Sequence, residues 1–506
     1  MAKRSADDEP QDIVPMTEEP QDDTPAEPPA RPNHIAPIVI TAVLAVCVII
    51  GVVSLIKLGM LPDWALAVAI AFDVVVSGLI GVFLVRSPLP DHKVRFTVLT
   101  ILAVIAMIAN LGVTKVSHDV TSFGNTITAT GQNTVRYDII GLMSGPSDVS
   151  ALKGTTMGEL TTDPNAVAAQ KMVDALVSVD YKAFPDPTTL ASAITSKQVA
   201  SAFIQDDYMQ LYQENDPDFF ASIKIIETFQ LQVTTAQPTP TMPANPNGAF
   251  ILYISGIDTH GPIATVSRSD VNQLMVVNPK TGKILLVNTP RDFYVQLHGT
   301  TGLKDKLTHS GIYGINMSVT TMEDLYGGID INYWVRINFD SLIAVINAVG
   351  GITVDSPYTF TTSVDGQPMH IVQGQNTLNA DQALAFARDR DDVPGGDRGR
   401  GIDQQAVITA LIQKLSQPSM LLRYNSILTS VQSAIQTSMP MDTLSAMVKD
   451  QLSSPTSWSI SQYSVTGSDS SQYTYSYSGQ KLYVMIPDQS TVDQAEQLIK
   501  QTLAGQ

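Results

Sequence analysis

Phe339-Asp-Ser-Leu-Ile-Ala-Val-Ile-Asn-Ala-Val349-Gly-Gly-Ile352-Thr-Val354 is a helix and a strand joined by a stop signal. Its apolar residues recur at helical spacing up to Val349. Gly350-Gly351 then ends the helix where a left-handed cap tolerates no Cβ, and 352–354 resumes as strand. Working outward, the same alternation repeats. Upstream, 250–255 has the unbroken apolar run of a buried strand, 273–278 and 283–288 read as a hairpin around Pro279-Lys-Thr-Gly282, and 313–325 reads as a helix. Downstream, 380–388 and 402–415 read as helices, 468–479 as a Ser- and Tyr-rich hairpin or loop, 482–486 as a strand and 491–503 as a helix. Strands alternating with helices predict an α/β fold with a central mixed sheet flanked by helices.

This domain spans 249–506, and four segments precede it. Residues 1–33 are rich in Asp, Glu and Pro with few large apolar residues, which reads as a disordered tail. Three apolar runs follow within 34–114, at 35–56, 65–85 and 96–113, each near the length that crosses a hydrocarbon core. The loop after the second run holds Arg86, Lys93 and Arg95, and the tail holds Lys3, Arg4 and Arg31. The loop after the first has only Lys57 against Asp63. Positive charge stays inside, so the N-terminus is expected in the cytoplasm and everything after Val113 outside. Asp73, inside the second run, reads either as a contact for a partner or lipid headgroup or as a carboxyl paired within the bundle. Asn110 reads as interhelical glue.

Residues 115–235 read as a small α/β accessory domain, with a strand at 135–142 and helices at 165–177 and 188–204. Its run Leu152-Lys-Gly-Thr-Thr-Met-Gly158 faintly resembles one lobe of a periplasmic solute-binding protein, and a ligand-free spacer is the simpler reading. Residues 236–248 are a proline-rich linker. A formal net charge of −18 argues against nucleic acid, which is bound through a basic face. The single cysteine, Cys47, excludes an intrachain disulfide and leaves the redox compartment open.

Only 15% of the chain is charged, yet 388–404 packs Arg388, Asp389, Arg390, Asp391, Asp392, Asp397, Arg398 and Arg400 around glycines. Guanidinium forks match phosphate oxygens bidentately. Other charges stand at strand ends: Asp258, Arg268-Ser-Asp270, Pro290-Arg291-Asp292 and Lys306. Ligands gather outside the ends of strands in α/β sheets. Converging Arg, Lys and Asp, without a Ser-His-Asp or Cys-His set, point to phosphate chemistry. That chemistry needs charge neutralisation, positioning and usually a divalent metal. Magnesium takes one or two carboxylates with phosphate oxygens, a role suited to Asp258 and Asp270.

The ordered set Gly256-Ile-Asp258, Arg268-Ser-Asp270, Pro290-Arg291-Asp292, Lys306-Leu, Arg388-Asp-Arg390, Asp397, Arg400 and Gln404-Gln405 resembles the LytR-CpsA-Psr (LCP) family. Three spans before an accessory domain look like its CpsA-type members. The resemblance implies a membrane-anchored phosphotransferase that moves a polyprenyl-pyrophosphate-linked glycopolymer, capsular or teichoic-acid-like, onto a peptidoglycan acceptor. By position it implies pyrophosphate binding by Arg268, Arg291, Arg388, Arg390, Arg400 and Gln404. Lys306 would be a further phosphate contact, and Asp258 and Asp270 would be the acidic pair linked to Mg2+. Asp397 would help to activate the acceptor hydroxyl, with Arg291, Arg388 and Arg390 at the reacting phosphates. The stretch 313–349, with Trp334 and Phe339, either lines a groove for the lipid or is ordinary core. Thr308, Asn347 and Asp403 stand where the family usually has Asn, Asp and Arg. The Asp403 change removes a positive charge beside the phosphates. Two alternatives remain: a hydrolase or binding protein using the same clamp, and a membrane-bound regulator (transcriptional attenuator) of cell-wall genes.

Overall fold

In a computed structural model of the chain, the residues described are 34–87, 92–128, 132–234, 248–421 and 423–506. The acidic segment 1–33 and the linker 236–247 lie outside them. The chain divides into two bodies, one of Met1–Ile49 with Phe72–Ala109, the other of Ile50–Ala71 with Asn110–Gln506.

Ile35–Leu58, Asp63–Val85 and Lys93–Thr128 are helices, with windows of mean hydropathy 3.1, 2.5 and 2.3. Each is long and apolar enough to cross a membrane. Asp73 accepts a hydrogen bond from Ser77 Oγ at 3.2 Å, one turn away, which is the pairing that spares a carboxyl in such a helix. A Cβ at Gly51 would overlap Asn110 Oδ1, so the glycine makes room for the amide. The third helix outlasts its apolar run. Its later turns are buried in protein, Val120 against Met60 and Val448, and Phe123 against Leu428 and Val431.

A five-stranded sheet follows, in the order Asp180–Phe184, Thr156–Leu160, Ser201–Gln205, Gln132–Leu142, Ile223–Thr234. The expected single helix over 188–204 is corrected here. Helix Pro187–Thr195 starts behind Asp186, whose carboxylate accepts from Thr189 N at 2.9 Å, and Lys197 turns the chain at φ 59°. Ser201–Gln205 is then a strand buried along its whole length. A strand covered on both faces has no alternation, so its apolar run reads equally well as buried helix.

The larger sheet has the order Ile435–Thr437, Tyr333–Ile337, Phe250–Ile257, Ser269–Asn278, Lys283–Asn288, Ser459–Ser464. Tyr333–Ile337 runs parallel to Phe250–Ile257, and Ser459–Ser464 parallel to Lys283–Asn288, while the other pairs are antiparallel. Alternate side chains pass to opposite faces. Ile251, Tyr253 and Leu274 meet Val319 and Met322 of helix Ile315–Leu325 and Val492 and Ile499 of helix Gln489–Ala504. Phe250, Leu252 and Ile254 meet Ile408 and Ile412 of helix Asp397–Leu415 and Leu444 of helix Met441–Ser453. The result is the expected α/β sandwich. Phe339–Val349 is a helix with an Asn338–Ser341 capping box and a left-handed Gly350 at φ 75°.

Two helix bounds differ from expectation. The helix expected at 313–325 begins two residues late, at Ile315, after a 3-10 helix Leu307–Tyr313. The helix expected at 402–415 starts at Asp397, five residues earlier. Glycine costs about 1 kcal/mol against alanine in a helix, so Arg-Gly alternation reads as loop. Here the glycines are demanded by contact, since a Cβ at Gly401 would lie 2.2 Å from Asn288 Nδ2 and one at Gly399 2.5 Å from the Pro394 carbonyl oxygen.

Candidate active site

Strand register brings the charges together. Ile257 pairs with Ser269, Ile337 with Gly256, and Asn288 with Gln273. Three strands therefore end, and one begins, along a single sheet edge, which delivers Asp258, Asp270, Arg291 and Asn338 to the same place. Helix Asp397–Leu415 passes beside that edge and presents Arg400, Gln404 and Ile408 at spacings of four, one face of a helix. Helix Ala380–Arg388 adds Leu384 and Arg388 in the same way.

Between them lies a cleft of about 300 Å³. Its lining brings Arg291, Arg388, Arg390, Arg400, Asp258 and Asp270 together with the apolar side chains of Ile254, Ile337, Leu342, Leu384, Val407 and Ile408. Arg291 Nη1 donates to Asp270 Oδ2 at 2.5 Å, and its Nε lies 3.7 Å from Asp292 and 3.9 Å from Asp397. Thr308 Oγ1 donates to the other Asp270 oxygen at 2.7 Å. Arg400 Nη2 reaches Asp397 Oδ1 at 2.5 Å. Burial works to raise the Asp270 pKa, but Arg291, then Arg268, with the Thr308 hydroxyl, outweigh it and hold it at about 2. The Arg291 guanidinium sits above its ordinary range because Asp270, Asp292 and Asp397 outweigh its own burial. Both groups are fully charged at neutral pH. Arg388 lies 4.2 Å above the Phe339 ring, a cation–π contact that fixes its direction.

Of the residues expected from sequence, Asp258, Asp270, Arg291, Arg388, Arg390, Arg400 and Gln404 line this cleft, and Arg268, Lys306 and Asp397 are not among its lining residues. Lys306 Nζ is held by Asp292 at 3.0 Å. Asp397 stands behind Arg400 and Arg291. Arg268 is buried and turned toward helix Asp206–Asn215, where Nη1 donates to both Glu214 oxygens at 3.0 and 3.1 Å and Nη2 to Gln210 Oε1 at 2.7 Å. Phe339 and Leu342 line the cleft while Trp334 is core, so 313–349 divides between the two readings.

Thr308 and Asp403 find their reasons in packing, and nothing in the structure explains Asn347. Thr308 supplies the hydroxyl that Asp270 accepts. Asp403 is fully buried and is not among the residues lining the cleft; it accepts from Tyr358 OH at 3.0 Å, so no carboxylate is added to the cleft. Burial, against the Tyr358 hydroxyl and reinforced by Asp389, pushes its pKa up to about 7. Arg398 donates to the Gly467 carbonyl at 2.6 Å. His309 is buried and bonded to Asp305 at 2.6 Å. Sequence reasoning passed over Leu384, Val407, Ile408 and Glu214. Leu384 and Ile408 stand one helical turn from Arg388 and Gln404, a signal that was present. Glu214 had none.

Among the described residues no group of three or more His, Cys, Asp or Glu is placed to hold a metal ion. Asp258 and Asp270 line the same cleft and are of the donor type that magnesium takes, with both Asp270 oxygens already held by Arg291 and Thr308.

A model described as the LytR_cpsA_psr family matches residues 222–498. The chain is 35% identical over 200 residues to a Bacillus mycoides (strain KBAB4) protein named polyisoprenyl-teichoic acid–peptidoglycan teichoic acid transferase TagU, covering 39% of this chain and 63% of that one. A protein of the same name from Enterococcus faecalis (strain ATCC 700802 / V583) is 36% identical over 204 residues, 40% of this chain and 65% of the relative. The chain thus spans a little under two thirds of the length of these relatives. Among solved structures, B. subtilis TagV is similar at 29% identity with a TM-score of 0.44, over 51% of this chain and 98% of that one.

Proposed function

The chain belongs to the LytR-CpsA-Psr family, and on that premise we propose that it is a membrane-anchored phosphotransferase joining a polyprenyl-diphosphate-linked glycopolymer to peptidoglycan. The relatives' names supply the reaction class. The single observation that carries the reading here is a cleft whose lining combines four arginines with apolar side chains. Such a cavity suits an amphiphile with a diphosphate head and a hydrocarbon tail, since the guanidiniums bind the oxygens and the wall takes the chain out of water.

Arg388 and Arg390 clamp the diphosphate from one side, Arg291 and Arg400 from the other. The acceptor hydroxyl attacks the phosphorus that carries the glycan. A new P–O bond to the acceptor forms, the P–O bond of the diphosphate bridge breaks, and lipid monophosphate leaves. By the family resemblance, Asp397, which pairs with Arg400 and lies 3.9 Å from Arg291 outside the cleft lining, is the group that takes the hydroxyl proton once the acceptor reaches it. A magnesium ion held by Asp258 and Asp270 would neutralise charge on the phosphates. Three apolar helices anchor the chain, and the positive charges of the tail and second loop support an orientation with the C-terminal body outside the cytoplasm.

The test supplies the full chain in detergent with a polyprenyl-diphosphate-linked sugar, Mg2+ and peptidoglycan. Lipid monophosphate and peptidoglycan-bound sugar phosphate should appear in equal amounts. Arg388→Ala and Arg291→Ala should each abolish both. Turnover that survives both substitutions refutes the site, and lipid phosphate released without transfer identifies a hydrolase.

A further inference from the structure

One residue lining the cleft comes from a helix that precedes the family-matched segment. Helix Asp206–Asn215 ends beside the cleft, and Glu214, near its last turn, is one of the lining residues. Its carboxylate takes two hydrogen bonds from Arg268, whose side chain is 5% exposed, and Gln210 takes a third. The same helix grips the neighbouring backbone. Buried Asp207 accepts from Ser267 Oγ at 2.9 Å and from Arg268 N at 3.2 Å. Arg268 is therefore engaged through Nη1, Nη2 and its backbone N–H, all toward that helix.

A carboxylate on the rim of a phosphate site is a cost unless something cancels it, because it repels the ligand. Arg268 cancels it. Conversely, a guanidinium whose terminal nitrogens already bond a carboxylate and an amide has its best donors spent. Glu214 offsets Arg268 at the rim, although Arg268 still acts on Asp270, and the four arginines that line the cleft are left to hold the phosphates.

Resting on the diphosphate reading above, we propose that Glu214 is a positioning residue of the phosphate site: with Gln210 it holds Arg268 away from the diphosphate and cancels its charge. Arg268 is then a counter-ion, and the helix Asp206–Asn215 is part of the active-site wall.

The two partners of a self-cancelling pair have opposite effects when removed singly and little effect when removed together. The probe is geranyl diphosphate, titrated at low salt against the full chain in detergent. A unit charge uncovered at the rim, about 6 Å from the phosphates at an effective permittivity of about 40, changes affinity about tenfold. Glu214→Gln should tighten binding by about that factor, and Arg268→Gln should weaken it by about that factor. The double variant should return to within about twofold of wild type. A double variant as weak as Arg268→Gln alone would show that Arg268 grips the diphosphate directly and overturn the proposal. So would a Glu214→Gln variant that binds no more tightly than wild type, the result expected of a mere brace. If Arg268→Gln does not fold, the sign of the change at exposed Glu214 decides. Wild type that does not bind the probe at all refutes the diphosphate reading instead, which keeps the two failures apart.

Discussion

Replacing Asp403 by asparagine should make the protein more stable in alkali than in acid relative to wild type. Asp403 is fully buried, with one oxygen accepting from Tyr358 OH and the other without a hydrogen-bond partner among the described residues. Burial first, with Asp389 adding and the Tyr358 hydroxyl subtracting, raises its pKa from an ordinary 3.8 to about 7. The folded chain therefore keeps a proton that the unfolded chain has released. This group's contribution is intact below pH 4, declines as pH rises, and is fully lost once pH passes 7. Between pH 5 and pH 8 about two pKa units separate the states, or roughly 2.7 kcal/mol at 1.36 kcal/mol per unit. Asparagine does not titrate and keeps an oxygen for Tyr358, so this penalty vanishes in the variant. At roughly 2–4 °C per kcal/mol for a domain of this size, the variant's melting temperature relative to wild type should rise by about 5–10 °C from pH 5 to pH 8. Thermal unfolding of both full chains in detergent, at matched ionic strength, reads this directly. Any fixed effect of the amide cancels in the comparison. An offset that stays constant across that range would refute the reasoning.

Asp270→Asn should cost about 2 kcal/mol above pH 4, because the Asp270 pKa is held down at about 2 and its contribution disappears only as pH falls through that value. Chemical unfolding at pH 7 and pH 2 should show the gap closing, and a pH-independent gap would contradict it. Gly401→Ala should cost roughly 1–3 kcal/mol and weaken diphosphate binding, since its Cβ would push helix Asp397–Leu415, with Arg400 and Gln404, off Asn288. Unchanged affinity would mean that the helix position does not set the site. Phe339→Leu removes the ring under Arg388 and should weaken binding about threefold to tenfold, from roughly 0.5–1.4 kcal/mol of cation–π support, while leaving the melting temperature nearly unchanged. Loss of stability without loss of affinity would assign Phe339 to the core alone.

The sandwich was legible because its signals are local. Gly350-Gly351 stops a helix by backbone geometry, Pro279–Gly282 turns a hairpin, and the apolar run at 250–255 makes a central strand whatever its neighbours. Seven of the expected site residues line one cleft for a related reason: all but Arg390, which follows the end of helix Ala380–Arg388, stand at strand ends or share a helix face, and such positions can be counted along the chain. Arg268 shows where counting stops. Its place in the sequence matches a phosphate ligand, and its direction is set by Glu214 and Gln210, more than fifty residues away on another sheet's helix. Lys306 is turned in the same way by Asp292. The helix over 188–204 was misread because a strand buried on both faces erases the alternation that marks strands. The early start at Asp397 was hidden because glycines that tertiary contacts require look like a loop.

The most direct measurement is a structure of the full chain with a polyprenyl diphosphate bound. The diphosphate should lie within hydrogen-bonding distance of Arg388, Arg390 and Arg400, with the hydrocarbon chain along Ile337, Leu384 and Ile408 and with Arg268 still on Glu214. A lipid seated elsewhere, or a diphosphate that touches none of those arginines, would contradict the assignment of this cleft.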